Sequence, residues 1–371
     1  MMRIIIVGTA FPLRGGIAHY NALLAAHLSK RHSVETITFK RQYPGILFPG
    51  KTQEETGDGS YVERAPQLID SVNPFNWVRV AHEIRNRKPD LLIFKYWLPF
   101  FGPCFGTIAK LAKRKTVTKI LFICDNIIPH ERRPGDIVCT RYAFKQADYF
   151  IVQSDTVEQD LLKYFPGAIY RKTPHPVYEL FGTPIRKEEA RKILGISSKK
   201  VILYFGYVRA YKGLMILVEA MKHVQDALLL AVGEFYDDKS KYVKRVEDLN
   251  LSSRIQFVPD YVPNNQVRLY FSAADVVVLP YLSATQSGIT QIAYNFNKPV
   301  IATNVGGLGE VVLDNQTGFI VPPNNAEALA NAIAKFYAEN KEEDFVANVR
   351  REKTKYSWDS FIRTLEGLVG A

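Results

Sequence analysis

Hydrophobic and polar positions along this chain follow two periods that alternate. Short apolar runs rich in Ile, Val, Leu and Phe recur at residues 4–8, 32–39, 90–94, 119–124 and 149–153. Runs of this length and uniform character read as strands buried on both faces. Between them lie stretches with apolar residues three and four apart, as at 17–28 and 74–87, which read as helices. Residues 41–65 show no clear period and carry Pro, Gly and charge, so a long loop is expected there. The segment Thr173-Pro-His-Pro-Val-Tyr-Glu-Leu-Phe-Gly-Thr-Pro184 reads as a linker. After it the alternation begins again, with strands at 200–205, 227–233, 255–258, 275–279 and 299–303. The expected fold is therefore α/β, two doubly wound parallel sheets covered by helices. The expected domains are 1–175 and 176–355, with 356–371 an amphipathic helix, capped by Ser357, that packs back towards the first. Ligands of such sheets bind beyond the carboxyl ends of the strands, so the two domains are expected to face each other across a cleft.

Length supports two cores, because 371 residues exceed what one ordinary core takes. An apolar content of 47% with 23% charged residues is that of a soluble globular protein. No run is long enough to span a bilayer. The first eight residues, Met1-Met-Arg-Ile-Ile-Ile-Val-Gly8, read as a buried strand and not as a leader. Cys104, Cys124 and Cys139 lack zinc-ligand spacing and leave an odd thiol, which fits a reducing cytoplasm.

The net charge of +11 is uneven. Residues 1–175 hold 25 Lys/Arg against 15 Asp/Glu, whereas residues 176–371 hold 23 against 22. An anionic surface facing the first half is implied. Helix-turn-helix, zinc-finger and RNA-binding aromatic patterns are missing, so nucleic acid is not the expected partner. An anionic membrane leaflet, the inner face of the plasma membrane, is the expected one. The stretch Phe100-Phe-Gly-Pro-Cys-Phe-Gly-Thr-Ile-Ala-Lys-Leu-Ala-Lys-Arg-Lys115 has aromatics first and cations last. It reads either as an interfacial helix on lipid headgroups or as a core helix whose lysines match its dipole.

Candidate chemistry gathers at strand ends. Leu279-Pro-Tyr-Leu-Ser-Ala-Thr-Gln-Ser-Gly-Ile-Thr-Gln-Ile-Ala293 leaves a strand and opens a helix at Ser287-Gly288. A helix start there offers unpaired N–H groups and partial positive charge to a phosphate; the alternative is a plain joint with a Ser cap. Phe205-Gly-Tyr-Val-Arg-Ala-Tyr-Lys-Gly213 puts Arg209 and Lys212 after a strand and before a helix, a pair suited to a diphosphate. Asn304-Val-Gly-Gly-Leu-Gly-Glu310 allows close backbone approach. In the first half, Gly15 and Gly16 stand at a strand's end. Cys124-Asp-Asn-Ile-Ile-Pro-His-Glu-Arg-Arg-Pro134 places Asp125, Asn126, His130 and Glu131 beyond another. Such groups bind sugar hydroxyls or stabilise developing charge.

Taken together, these features resemble the retaining glycosyltransferases of family four, the glycosyl transferases group 1, with their two-Rossmann-domain GT-B architecture. Phe11-Pro-Leu-Arg-Gly-Gly-Ile-Ala-His-Tyr20 looks like that family's N-terminal Gly-Gly loop, and residues 205–214 like its arginine–lysine phosphate loop. Residues 275–280, Lys298-Pro-Val-Ile-Ala-Thr-Asn-Val-Gly-Gly-Leu-Gly-Glu310 and Thr317-Gly-Phe-Ile-Val-Pro322 look like its C-terminal signature. Three departures stand out. Tyr207 occupies the arginine's usual place, with Arg209 two residues later, which resembles an F-G-x-x-R-x-Y-K-G variant of the same family. The paired glutamates would fall at Ala284 and Ile292, with Gln286 and Gln291 the nearest polar residues. The histidine after the first domain's fourth major strand is replaced by Cys124-Asp125.

The resemblance implies transfer of a sugar, with retention, from a nucleoside-diphosphate sugar (UDP- or GDP-type) to a glycan or lipid-linked acceptor. The pathway it implies is cell-surface polysaccharide or glycolipid synthesis, by a cytoplasmic enzyme peripheral to the membrane. Implied catalytic residues are Arg209, Lys212, Asp125 and His130. Implied donor contacts are Gly15, Gly16, Gly206, Glu234, Tyr261, Gln286, Ser287, Gly288, Ile289, Thr290 and Gln291. No cofactor and no obligatory metal are expected, because no acidic pair has metal-ligand spacing. Closure about residues 174–186 is expected to exclude water during transfer. Two other readings share these residues: a nucleotide-sugar epimerase or phosphorylase on the same fold, and a non-catalytic glycan-binding or scaffold protein.

Overall fold

The computed structural model describes residues 1–44, 52–55, 64–129 and 133–370. The chain divides into two units, Met1–Pro176 with Tyr356–Ala371, and Val177–Lys355. The first unit runs β1 (Arg3–Val7), α1 (Gly16–Leu28), β2 (Ser33–Arg41), β3 (Gln67–Asp70), α2 (Pro74–Asn86), β4 (Leu91–Tyr96), α3 (Gly102–Lys113), β5 (Lys119–Cys124), α4 (Asp136–Phe144), β6 (Tyr149–Val152), α5 (Asp155–Tyr164) and β7 (Tyr170–Lys172). Among the described residues its sheet has seven strands, ordered β3-β2-β1-β4-β5-β6-β7, and every neighbouring pair is parallel.

The second unit runs α6 (Lys187–Ile193), β8 (Val201–Phe205), α7 (Leu214–Ala220), β9 (Leu228–Val232), α8 (Lys239–Asp248), β10 (Ile255–Val258), α9 (Asn264–Ala273), β11 (Val276–Leu279), α10 (Gly288–Asn295), β12 (Val300–Thr303), α11 (Leu308–Val311), β13 (Gly318–Val321), α12 (Ala326–Ala338) and α13 (Glu342–Glu352). Its six parallel strands are ordered β10-β9-β8-β11-β12-β13. The chain then returns as α14 (Trp358–Val369), which belongs to the first unit.

The strands form where the sequence is apolar on both faces, since helices cover each side of a parallel sheet. Ile4 to Val7 of β1 and Val276 to Leu279 of β11 have no exposed surface. Helix starts follow capping chemistry. Asn73 accepts from the Phe75 and Asn76 N–H groups at 3.1 and 3.3 Å, and Pro74 follows it at N1. Ser154 caps α5 from the Val157 N–H at 3.3 Å. Ser357 caps α14 from the Ser360 N–H, also at 3.3 Å. The apolar face of α14 buries Trp358, Phe361, Ile362 and Leu365, with Trp358 stacked on His27 at 5.3 Å. Glu366 on its last turn pairs with Arg31 at 2.8 Å and with His32 at 3.1 Å.

Among its described residues the stretch 41–65 is loop apart from Arg41, which ends β2, and an isolated bridge from Glu54 to Leu13. Beyond it lies an unforeseen edge strand, β3, whose Asp70 holds Arg41 at 2.8 and 2.5 Å. Of the two readings of 100–115, the core helix is the one that forms. Phe101, Cys104, Phe105, Ile108, Ala109 and Ala112 are buried in the core of the first unit, so the apolar face of α3 is already covered. Its C-terminal Lys113 pairs with Asp148 at 2.7 Å. No helix among the described residues is long and apolar enough to cross a membrane.

Candidate active site

Strand order reverses once in each sheet, between β1 and β4 and between β8 and β11. In open sheets of this kind, loops leaving the two strands there turn to opposite faces and leave a crevice at the carboxyl edge. In the second unit these loops carry Arg209 and Lys212 on one side and Gln286, Ser287 and Gly288 on the other.

The loop after β8 turns at Gly206, whose φ of 107° suits glycine. The position a Cβ would take there lies 3.3 Å from both the Lys212 Nζ and the Ile289 Cδ1. Ile289 is the second residue of α10, so the Gly206 turn, the Lys212 ammonium and the start of that helix are neighbours. A short 3-10 turn, Ala210–Lys212, brings the lysine back to this point. Gly213 then closes the loop at φ 66°, and a Cβ on it would meet the Pro280 carbonyl oxygen at 1.9 Å. The Leu282 N–H donates to the Tyr211 carbonyl at 2.7 Å. The loop after β12 joins the same group, with the Gly307 N–H donating to the Thr285 carbonyl at 2.9 Å. The Thr303 hydroxyl donates to the Tyr281 carbonyl at 2.6 Å.

Arg209 is exposed, with its guanidinium carbon 5.0 Å from the centre of the Tyr236 ring. Lys212 keeps a little surface, but protein surrounds its ammonium, which sits 5.6 Å from the centre of the Tyr281 ring. Among the described residues neither cation has a carboxylate partner. Desolvation, with Arg209 nearby as a second cause, lowers the Lys212 pKa to about 8. A lysine held charged at a desolvation cost gains from an anion that offsets that cost.

At the start of α10, Ser287 stands in the capping position but makes no capping hydrogen bond; its hydroxyl lies 3.4 Å from that of Tyr281. The plain Ser-capped joint is therefore not what forms. Gln286, Ser287, Gly288 and Ile289 are half-buried. Thr290 and Gln291 are 1% exposed, and among the described residues the Thr290 Oγ1 and Gln291 Oε1 lack hydrogen-bond partners. Glu234 follows β9; it is buried, and its carbonyl accepts the Val208 N–H at 2.9 Å. Tyr261 follows β10, an edge strand two places from β8.

In the first unit, Gly15 caps α1 with φ 107°, and its carbonyl accepts the His19 N–H at 3.1 Å. Gly16 opens the helix. The loop is held by the Arg14 N–H on the Gln53 carbonyl at 3.0 Å and by the Glu55 N–H on the Pro12 carbonyl at 2.8 Å. Asp125 leaves β5 beside β4 and accepts from the Lys95 ammonium at 2.6 Å. Lys95 is 1% exposed; it also donates to the Gln153 Oε1 at 3.1 Å and sits 3.6 Å from the centre of the Tyr20 ring. Burial lowers the Lys95 pKa and Asp125 opposes the shift. Next to it, burial pushes His175 down to about 3, with Lys95 a second cause. His130 and Glu131 lie outside the described residues.

The structure thus brings Gly206, Lys212 and Ile289 together, with Arg209 and Ser287 on the same loops. Sequence reasoning missed Lys95; Tyr236 lies in the stretch Gly233–Asp238 expected to contact the donor's base or sugar, and Tyr281 in the stretch 279–293, but neither was singled out. Lys95 could have been suspected as the one charge in the apolar run Leu91–Tyr96. Among the described residues no group of three or more His, Cys, Asp or Glu side chains could hold a metal ion.

The family model for glycosyl transferases group 1 matches residues 186–352. The D-inositol 3-phosphate glycosyltransferase of Corynebacterium glutamicum is 26% identical over 251 residues, covering 62% of this chain and 59% of that protein. The chain spans about three fifths of the length of the first such relatives it matches. TuaC of Bacillus subtilis, named as a teichuronic acid biosynthesis glycosyltransferase, is 32% identical over 280 residues, covering 74% of this chain and 68% of TuaC. Among solved structures, Anabaena HepE in complex with UDP-glucose matches with a TM-score of 0.76 over 100% of both chains at 17% identity, a likeness of fold. With two parallel-sheet units, the expected signature motifs in order and this extent of identity to TuaC, the chain belongs to the glycosyl transferases group 1 family.

Proposed function

We propose that this chain transfers a sugar from a nucleoside-diphosphate sugar to a glycan or lipid-linked acceptor, with retention, in building a cell-surface polysaccharide or glycolipid. One observation carries the reading. Two cations without carboxylate partners among the described residues, Arg209 and Lys212, sit on the loop beside the β8/β11 switch point, and Lys212 adjoins the start of α10. As the bond from the anomeric carbon to the diphosphate breaks, charge grows on the leaving oxygen, and fixed donors there lower the barrier. Asp125, held by Lys95, would bind the acceptor hydroxyl whose oxygen forms the new bond. A UDP-type donor is supported by the fold shared with HepE, whose structure contains UDP-glucose. The basic balance of the first unit supports an anionic membrane as the place of work.

A thermal-shift screen against UDP, GDP, ADP and their sugars tests this. A ligand at a hundred times its dissociation constant adds about 2.7 kcal/mol of stability. No shift with any of them would remove the donor site. Consumption of the selected sugar nucleotide only when an acceptor is added separates transfer from epimerisation.

Lys212 adds a pH signature. With a pKa of about 8 in the free protein, it is charged below that pH and neutral above it. UDP affinity by calorimetry should fall about twofold from pH 7 to 8 and then more steeply, approaching about tenfold per pH unit, because binding must then take up a proton. A profile flat to pH 9.5 would take Lys212 out of the phosphate site.

A further inference from the structure

The phosphate loop carries its arginine two positions later than in the family's G-R-x-x-x-x-K-G form, with Tyr207 in that place. The backbone explains how this is tolerated. The Val208 N–H donates to the Glu234 carbonyl at 2.9 Å, the Tyr236 N–H donates to the Val208 carbonyl at 3.0 Å, and Val208 bridges Phe235 in parallel. Residues 207–209 therefore continue the β8/β9 pairing past the strand ends. Along an extended chain, residues two apart share a face. A shift of two keeps the arginine on its face and moves it about 6.6 Å further out.

That move carries Arg209 away from the packed Gly206 turn, and a tyrosine pair meets it. The Tyr207 and Tyr236 rings stack at 4.7 Å between centroids and 28° between planes. The Arg209 guanidinium carbon lies 5.0 Å from the centre of the Tyr236 ring. An exposed arginine samples many rotamers and loses that freedom when it grips an anion. A ring face that holds the flat guanidinium reduces the loss and leaves its N–H edge for phosphate oxygens.

We propose that Tyr236, backed by Tyr207, is a positioning residue that holds Arg209 by its ring face for the donor's diphosphate. This rests on the diphosphate role of Arg209 given above. The same ring could instead carry the nucleobase, and the test separates the two.

Calorimetry with UDP and with UMP at pH 7 is run on the full chain and on Tyr236→Phe, Tyr236→Leu, Arg209→Ala and the Arg209→Ala/Tyr236→Leu double variant, each checked for folding by its melting curve. The expected result is about five-fold weaker UDP binding in Tyr236→Leu, with UMP unchanged and Tyr236→Phe like wild type. On the Arg209→Ala background, Tyr236→Leu should cost nothing more. Unchanged UDP affinity in Tyr236→Leu overturns the proposal. So does equal weakening of UMP, which would assign the ring to the base. So does a Tyr236→Phe variant as weak as Tyr236→Leu, which would assign the effect to the hydroxyl. If Arg209→Ala binds UDP like wild type while other variants at the site do not, the diphosphate role of Arg209 fails, and this inference with it.

Discussion

Replacing Arg209 and Lys212 together by Ala is expected to abolish transfer while leaving the chain folded. A preorganised donor aimed at developing charge is worth about 10²–10³ in turnover, and two acting on one diphosphate work as a unit. The double variant should therefore lose at least about 10³-fold, with UDP affinity falling as well. Neither removal leaves a buried charge unpaired, since among the described residues neither cation has a carboxylate partner. Burial lowers the Lys212 pKa to about 8, so its ammonium is held at a desolvation cost and its removal is expected to leave the chain folded. Turnover with the donor selected by the screen, read beside the melting temperature, checks both halves. Wild-type turnover in a folded double variant would refute the assignment.

How much of this was legible follows from what burial does to sequence. Strands such as β1 and β11 were visible because parallel strands covered on both faces are apolar throughout. Strands β3 and β7 were not, because they are sheet edges: Gln67-Leu-Ile-Asp70 and Tyr170-Arg-Lys172 carry the polar residues that edges tolerate. Helix α4 was hidden because it starts at the left-handed Gly135 with no side-chain cap and exposes Val138. The face of α3 looked equally suited to lipid or to core, since both solvents select the same residues; only its neighbours decide.

The site shows the same division. Arg209 and Lys212 are local, set in a glycine-bounded loop, and could be read directly. The contacts of Lys95 with Asp125 and Gln153 span 30 and 58 positions, and Tyr236 reaches Arg209 from another strand's loop. No spacing rule reveals such pairs. Gln291 was readable as a nearby polar residue in a motif lacking its glutamates, but its burial was not, because Gln is compatible with either environment.

Asp275→Ala is expected to destabilise the second unit selectively. Asp275 stands just before β11 with its side chain 4% exposed. Its carboxylate accepts from the Lys187 Nζ, the Arg191 Nη2 and the Val201 N–H, each at 2.7 Å, and from the Tyr337 hydroxyl at 3.3 Å. One side chain thus ties α6, the start of β8 and α12 to the start of β11. Removing one partner of a buried charge group costs about 3–5 kcal/mol, because the other partners stay desolvated and unmatched. Lys187 keeps Glu342, which puts the expected loss near the lower end, about 3 kcal/mol. In urea that is a midpoint shift of about 1–1.5 M. The three tryptophans, Trp77, Trp97 and Trp358, all belong to the first unit, so their emission reports that unit while far-UV circular dichroism reports both. The variant should lose part of its dichroism at lower urea with the tryptophan transition in place. Coincident, unshifted curves would show that the network carries no stability. Asp275 also precedes the strand whose following loop carries Ser287 and Gly288. Where the variant is still folded, UDP affinity should match wild type, because the carboxylate holds the start of β11 and not the phosphate loops at its far end.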